Sequence, residues 1–211
     1  MSGVATRLLA TKKARTLAIL GSGVQARAHI DAMLAVRPFD KIRLWSRNAD
    51  HARALAQSTE REGVEFIVAR EAETAVRSAD VVCTVTASRE PVLRGEWLRS
   101  GAHVNAVGAS VPTSRELDTE AVRRSRVFVD RRESALHEAG DLLVPIREGA
   151  ITEQHIVAEI GDLLMGNSPG RQSDAEITLF KSLGLAVEDL ASAHFLYDRA
   201  KRDGAGRWVE F

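Results

Sequence analysis

A glycine-rich turn lies near the start of the chain, between an apolar run at residues 17–20 and a segment of helical composition. Gly21, Gly23 and Ala26 have the spacing Gly-x-Gly-x-x-Ala. Gly21 permits a tight turn, Gly23 lets the backbone approach a pyrophosphate, and Ala26 keeps the next helix close to the sheet. The first-turn N–H groups, at the positive end of that helix, would face the anion. The pattern therefore predicts a dinucleotide-binding site.

The end of the second predicted strand bears on which dinucleotide is bound. NAD-binding folds place Asp or Glu there to accept hydrogen bonds from the adenosine ribose. This chain instead has Ser46, Arg47 and Asn48 after the strand at residues 41–45. A guanidinium and a hydroxyl suit a 2′-phosphate through charge-assisted bonds. We therefore predict NADPH as the cofactor, with NADH binding more weakly. The alternative is that Arg47 is a solvated surface residue and that Asp50 caps the next helix.

Further ligand contacts are predicted at the ends of the fourth and fifth strands, because ligands bind outside the carboxyl ends of parallel strands. The candidates there are Thr84, Thr86, Ala87, Asn105, Val107, Gly108 and Ser110. Two of them have equally plain structural interpretations. Thr86 would serve as a helix-capping hydroxyl, and Asn105 as an amide that joins loops.

Strand and helix patterns alternate along the chain and position these residues. Apolar runs occur at residues 16–20, 41–45, 65–69, 80–86, 103–107 and 126–130, with helical patterns at 25–36, 50–61, 71–78 and 116–124. This order predicts an α/β fold of the Rossmann type, with a doubly wound and mainly parallel sheet. Beyond residue 130 we predict helices at 132–138, 152–165 and 183–202, and a short strand at 177–179. The apolar stretch 142–146 contains Pro145.

Composition narrows the class of protein. The 211 residues are 45% hydrophobic and 27% charged, as in a globular protein, and the formal net charge is zero. That balance gives no support for binding to nucleic acid or a membrane surface, and no apolar run has the length of a membrane span. The single cysteine, Cys83, excludes an internal disulfide and a multi-cysteine metal site. We expect a cytoplasmic protein without a bound metal.

Six blocks of sequence, in this order, resemble one protein family. They are GSGVQA (21–26), WSRN (45–48), TVTA (84–87), PVLRGEW (91–97), GAHVNAVGAS (101–110) and FKSLGLAVED (180–189). Together they resemble the ornithine cyclodeaminase/mu-crystallin family, and most closely its ketimine-reducing members. The similarity covers nearly the whole chain.

The resemblance implies an oxidoreductase that transfers a hydride from NAD(P)H to the C=N bond of cyclic imine carboxylates such as piperideine-2-carboxylate. The residues implied to contact the cofactor, besides the two glycines, are Ser22, Val24, Gln25, Ser46, Arg47, Asn48, His51, Thr86, Ala87, Val107 and Ser182. Glu138 falls where the family contacts hormone or substrate. The alternative function is NADPH-regulated binding of thyroid hormone or another small ligand without catalysis, in a pocket lined by Glu138 and residues 142–146.

The chain departs from the family at one candidate catalytic position. Cyclodeaminases carry an aspartate where this chain has Ser110. Since a serine cannot act as that carboxylate, cyclodeamination is not expected. Reduction needs only a proton for the imine, from solvent or from a nearby acid. The sequence does not identify the catalytic residue, for which Ser110 is the candidate. His137 and Asp141 lie near Glu138 and are weaker candidates for the proton donor, the alternative being an ordinary role at a helix end.

A second departure concerns domain organisation. The family has an N-terminal domain that grips the substrate carboxylate and forms much of the homodimer interface. We expect residues 1–15 to be the connecting helix cut short, and residues 16–140 to be the NADP-binding domain. Residues 141–211 would complete that domain and reach toward the N-terminal one.

Overall fold

The computed structural model of the chain describes residues 1–207 and 209. In this part, eight parallel strands form one sheet in the order β3-β2-β1-β4-β5-β8-β6-β7. The strands are β1 Thr16–Leu20, β2 Lys41–Trp45, β3 Glu65–Val68, β4 Val81–Thr84, β5 His103–Ala106, β6 Ser125–Val129, β7 Ile156–Glu159 and β8 Ile177–Lys181. The predicted Rossmann-type α/β class is confirmed.

Helices connect most of the strands and cover the sheet. They are α1 Ser2–Leu9, α2 Val24–Val36, α3 Ala49–Ser58, α4 Ala72–Val76, α5 Thr119–Arg123, α6 Arg132–Glu138, α7 Gly140–Arg147, α8 Ile160–Leu164 and α9 Ala186–Asp203. Short 3-10 turns occur at Gly95–Trp97 and Glu153–His155. Among the described residues, no helix combines the length and the apolar character needed to cross a membrane.

The sheet is buried on both faces, as β1 illustrates. Leu17 and Ile19 share one core cluster with Ile30 of α2, while Ala18 and Leu20 belong to the cluster on the opposite face. Successive side chains of a strand point to opposite faces, so an apolar strand with no polar positions must be covered twice. With both faces covered, the loops at the strand ends are the parts of the sheet that a ligand can reach.

The predicted helix at residues 152–165 is wrong. Residues 156–159 form β7, which pairs with β6, and only Ile160–Leu164 is helical. Ile156 and Ala158, which are two residues apart in β7, both point into the core. The apolar residues whose spacing resembled one helix therefore belong partly to a strand and partly to a short helix. Glu159 and Asp162 form a reciprocal capping box that starts α8 after the strand.

Other element boundaries also move for identifiable reasons. α5 begins at Thr119 rather than at residue 116, because the Asp118 carboxylate caps it by accepting from the Ala121 N–H at 2.8 Å. α9 begins at residue 186 rather than 183. The apolar stretch 142–146 lies inside α7, including Pro145. The Asn48 side chain caps α3, so the interpretation of Asp50 as its cap is wrong.

Candidate functional site

A cleft of ≈760 Å³ lies at the carboxyl ends of β1, β2 and β4. Three segments meet there: the glycine turn, the end of β2 with the start of α3, and the loop after β4. Its lining includes Gly21, Ser22, Gly23, Val24, Gln25, Ser46, Arg47, Asn48, His51, Thr86 and Ala87. The structure thus brings together eleven residues that the sequence had assigned to the cofactor. We call this the first cleft.

A second cleft of ≈430 Å³ adjoins the first and shares Gln25, Val85 and Thr86 with it. Its lining adds residues from the end of β5, from the end of β8 and from the start of α1. Among them are the remaining predicted residues, Val107, Ser110 and Ser182. The two clefts form one groove along the carboxyl edge of the sheet, where ligands of such folds bind.

The glycine turn has the geometry that its sequence predicted. Gly21 has φ +127°, and a Cβ there would lie 2.7 Å from the Val85 carbonyl oxygen, so only glycine fits. A Cβ on Gly23 would meet no atom within 4 Å. Gly23 is also the N-cap of α2 and supplies no capping side chain. An uncapped helix N-terminus beside open space fits a pyrophosphate.

The end of β2 is hydrogen-bonded to the glycine turn, and the arginine that follows, Arg47, is left without a partner among the described residues. The hydroxyl oxygens of Ser22 and Ser46 lie 2.9 Å apart and share a hydrogen bond. Arg47 is exposed, and it has no hydrogen bond or ion pair within the described part of the chain. Its guanidinium is therefore available to a phosphate at the rim of the first cleft.

A buried carboxylate supports the floor of the groove. Glu116 has no exposed surface and accepts three hydrogen bonds. Two come from the N–H and the hydroxyl of Thr86, each at 2.6 Å, and the third from the Gly108 N–H at 2.8 Å. Burial raises the pKa of Glu116, and the hydrogen bonds from Thr86 oppose that rise. Glu116 therefore ties the loop after β4 to the end of β5.

A buried ion pair lies next to this carboxylate. Lys181, the last residue of β8, and Asp141, in the first turn of α7, are both fully buried, with Nζ and Oδ2 3.1 Å apart. The Lys181 ammonium also donates to the Gly108 carbonyl. The other Asp141 oxygen accepts from the backbone N–H groups of Glu116 at 2.7 Å and Leu117 at 3.0 Å. These contacts close a ring through Gly108, Lys181, Asp141 and Glu116.

Two residues predicted at strand ends do not reach the groove. Thr84 and Asn105 are fully buried, and neither lines a cleft. The Asn105 amide donates to the Thr6 hydroxyl at 2.9 Å and so holds α1 against β5. The Thr86 hydroxyl donates to Glu116 and caps none of the described helices. The alternative interpretation of Thr86 as a helix-capping residue is therefore also wrong.

The predicted residues of α6 and α7 also lie apart from the groove. Glu138 is exposed at the end of α6 and lines neither cleft. The His137 ring N–H donates to the Glu133 carbonyl one turn earlier, at 2.7 Å. Asp141 is held by Lys181 and by backbone N–H groups. No group of three or more His, Cys, Asp or Glu side chains suited to a metal ion occurs among the described residues.

The parallel sheet, the glycine turn between β1 and α2, and the groove at the carboxyl edge define a protein with a Rossmann-type fold, the class of fold that binds dinucleotides at this edge. The chain belongs to the ornithine cyclodeaminase/mu-crystallin family, whose sequence profile matches residues 1–204.

Three known proteins show how far the similarity extends. The chain is 44% identical over 213 residues to a Delta(1)-pyrroline-2-carboxylate reductase of Bacillus cereus, covering 100% of this chain and 65% of that protein. It is 42% identical over 198 residues to mouse ketimine reductase mu-crystallin, covering 94% of this chain and 59% of that protein. The structure of Thermococcus litoralis Delta(1)-pyrroline-2-carboxylate reductase, in complex with NADH and L-proline, has a TM-score of 0.95 and 41% identity. That match covers 99% of this chain and 65% of the other.

Proposed function

We propose that this chain is an NADPH-dependent reductase of cyclic ketimines. One observation carries the proposal: a continuous groove leads from the uncapped N-terminus of α2 to Val107 and Ser110. A dinucleotide needs such a groove, with a phosphate site near its middle and a second pocket for the nicotinamide ring. When bound, the cofactor supplies the hydride for the C=N carbon.

The choice of NADPH depends on the rim of the first cleft. Arg47 is exposed and unpaired there within the described residues, and the Ser46 hydroxyl is held beside it by Ser22. Among the residues that the structure describes, no carboxylate lines this cleft to accept a ribose hydroxyl. A guanidinium recognises a 2′-phosphate through two charge-assisted bonds, whereas it gains little from an uncharged ribose.

The second cleft and the relatives support the proposed substrate class. Two relatives are named for the reduction of cyclic or ketimine C=N bonds. In this chain Ser110 lies exposed in the second cleft, beside Val107, and offers a hydroxyl. We infer that Ser110 holds the imine carboxylate or a water by a hydrogen bond, and that the proton for the imine nitrogen comes from solvent.

The alternative function as a hormone-binding protein has no observation in its favour. Glu138 is exposed, while Leu142 and Pro145 of α7 are buried in the core and form no pocket wall with it.

The test uses the purified chain with NADPH and either Delta(1)-pyrroline-2-carboxylate or Delta(1)-piperideine-2-carboxylate. We expect loss of nicotinamide absorbance that depends on both components, and tighter binding of NADPH than of NADH by calorimetry. The Gly23→Ala variant serves as the control, because its added methyl group would occupy the phosphate space. NADPH binding without turnover would reduce the proposal to a dinucleotide-binding unit, and no binding would refute it.

A further inference from the structure

The peptide unit of Gly108 is held on both sides by buried charged groups. Its N–H donates to the Glu116 carboxylate at 2.8 Å, and its carbonyl accepts from the Lys181 ammonium. A Cβ at this position would lie 2.3 Å from the Thr86 carbonyl oxygen, so the surrounding backbone is also close. Gly108 stands between Val107 and Ser110, the two residues that bring the end of β5 into the second cleft.

The segment that follows needs such support. Ala109 has φ +58°, in the left-handed region that residues with a side chain adopt at a cost. It directly precedes Ser110, which lines the second cleft. A conformation of this kind persists only where neighbouring contacts determine it, and the two hydrogen bonds on Gly108 provide those contacts.

Lys181 is a costly residue to place at this point. Its side chain has no exposed surface, and its charge is compensated by Asp141 at 3.1 Å. Burying an ion pair is weak evidence for stability, because desolvation offsets most of the attraction. An apolar residue would fill the same space in the sheet at less cost. The specific gain from the ammonium is the bond to Gly108.

We infer that Lys181 is a positioning residue, which through the Gly108 carbonyl fixes segment 107–110 in the second cleft for hydride transfer. The inference rests on the proposed function, and it assigns Asp141 the part of neutralising the ammonium. Glu116 holds the same peptide unit from its other side. The bond from Lys181 to Gly108 acts on segment 107–110 and involves no residue of the glycine turn in the first cleft.

Two variants separate positioning from stability. Lys181→Met shortens the side chain by one atom and leaves Asp141 buried without a counter-charge, so Tm should fall. The double variant Lys181→Met/Asp141→Asn removes both charges and keeps an oxygen for the Glu116 and Leu117 N–H groups. Its Tm should return toward that of the parent chain. Lys41→Met removes the more exposed ion pair to Glu65 and is the matched control.

Hydrogen–deuterium exchange on the unliganded chain gives the first measurement. We expect faster amide exchange at residues 107–110 in both variants and no change in β1 or in the Lys41→Met control. For kcat we expect a loss of about tenfold or more in both variants, since small misplacements at a reacting centre reduce rates strongly. The Kd of NADPH should change by less than about threefold, because the phosphate contacts remain.

Unchanged exchange at residues 107–110 would overturn the inference whether or not the parent chain turns over. So would a kcat that returns to the parent value in the double variant together with Tm, because the pair would then be merely structural. A parent chain that binds no NADPH would refute the proposed function, and the positioning role with it. A parent that reduces ketimines while the variants retain its kcat would refute only the inference.

Discussion

The Glu116 carboxylate accepts two hydrogen bonds from Thr86 through one oxygen atom, from the backbone N–H and from the hydroxyl, each at 2.6 Å. The two residues lie on different loops, yet both support the wall that the two clefts share. Because Glu116 is fully buried, this relationship couples the shape of the groove to the ionisation of one carboxylate.

Ionisation of Glu116 should contribute to the pH dependence of the free energy of unfolding. Burial raises its folded pKa above the ordinary 4.5, so from pH 4.5 up to the folded pKa the folded state binds more protons than the unfolded chain. This group therefore makes the free energy of unfolding fall as pH rises through that range. Glu116→Gln should abolish this component and cost about 1–3 kcal/mol through the mispaired Gly108 or Thr86 donors. Urea titrations across pH 4 to 8 measure the difference, and parallel curves for the two chains would contradict the prediction.

Substitutions of the two glycines should have different consequences. In Gly21→Ala the new methyl group would lie 2.7 Å from the Val85 carbonyl oxygen at a φ of +127°, so both Tm and NADPH affinity should fall. In Gly23→Ala the methyl group meets no protein atom, so Tm should stay near the parent value while affinity is lost. Thermal melts with and without NADPH test the pair. A Gly23→Ala chain that binds NADPH normally would place the phosphates elsewhere.

Arg47→Ala should change the cofactor preference. We expect NADPH affinity to fall by about tenfold or more, in line with the loss of a charge-assisted hydrogen bond, while NADH affinity changes little. Calorimetric titrations with both dinucleotides measure it, with Arg202→Ala on the exposed α9 as the control. Equal losses for both dinucleotides would remove the assignment of Arg47 to the 2′-phosphate.

His103 should weaken the fold in acid. Burial lowers its folded pKa to about 3 from 6.5, so between these values the unfolded chain binds more protons than the folded one. The free energy of unfolding should therefore decline as pH falls from 6.5 toward 3, and His103→Gln should reduce that decline. The slopes can be compared even if the variant is less stable overall. A variant that loses stability with pH as steeply as the parent would contradict the prediction.

Cys83 should resist alkylation in the folded chain. It is completely buried in β4, and burial raises the pKa of its thiol to about 12. The reagent therefore cannot reach the sulfur, and very little of the reactive thiolate is present. Iodoacetamide should label it only as fast as the chain opens, and urea should accelerate labelling by orders of magnitude. Mass spectrometry follows the reaction. Rapid labelling under native conditions would mean that the centre of the sheet opens readily.

The sequence predicted what local patterns determine. The glycine turn and the first six strands follow from apolar runs and turn residues that are close together in the chain. The prediction of a helix at residues 152–165 was wrong because residues 156–159 pair with the edge of β6 and therefore form a strand. Only the tertiary structure contains that information.

The supporting charges of the site were missed for a related reason. Glu116 and Lys181 are charged residues of types that are mostly exposed, so composition gives them no special place. Their partner, Gly108, is distant from Lys181 in sequence. One signal was available: Lys181 directly follows the apolar residues Leu179 and Phe180 at the end of a strand, where a surface lysine is not expected.

The position of β8 between β5 and β6 has a consequence for how the chain acquires its structure. β6 and β7 cannot join the first five strands until residues 177–181 arrive and pair on both sides. While residues 130–176 are being synthesised, the nascent chain therefore presents two unfinished sheet edges, one on β5 and one on β6. Such long-range pairing slows folding and leaves strand edges exposed to association. The strand that completes the sheet also carries Lys181, so continuity of the sheet and order in the second cleft arise in the same late event.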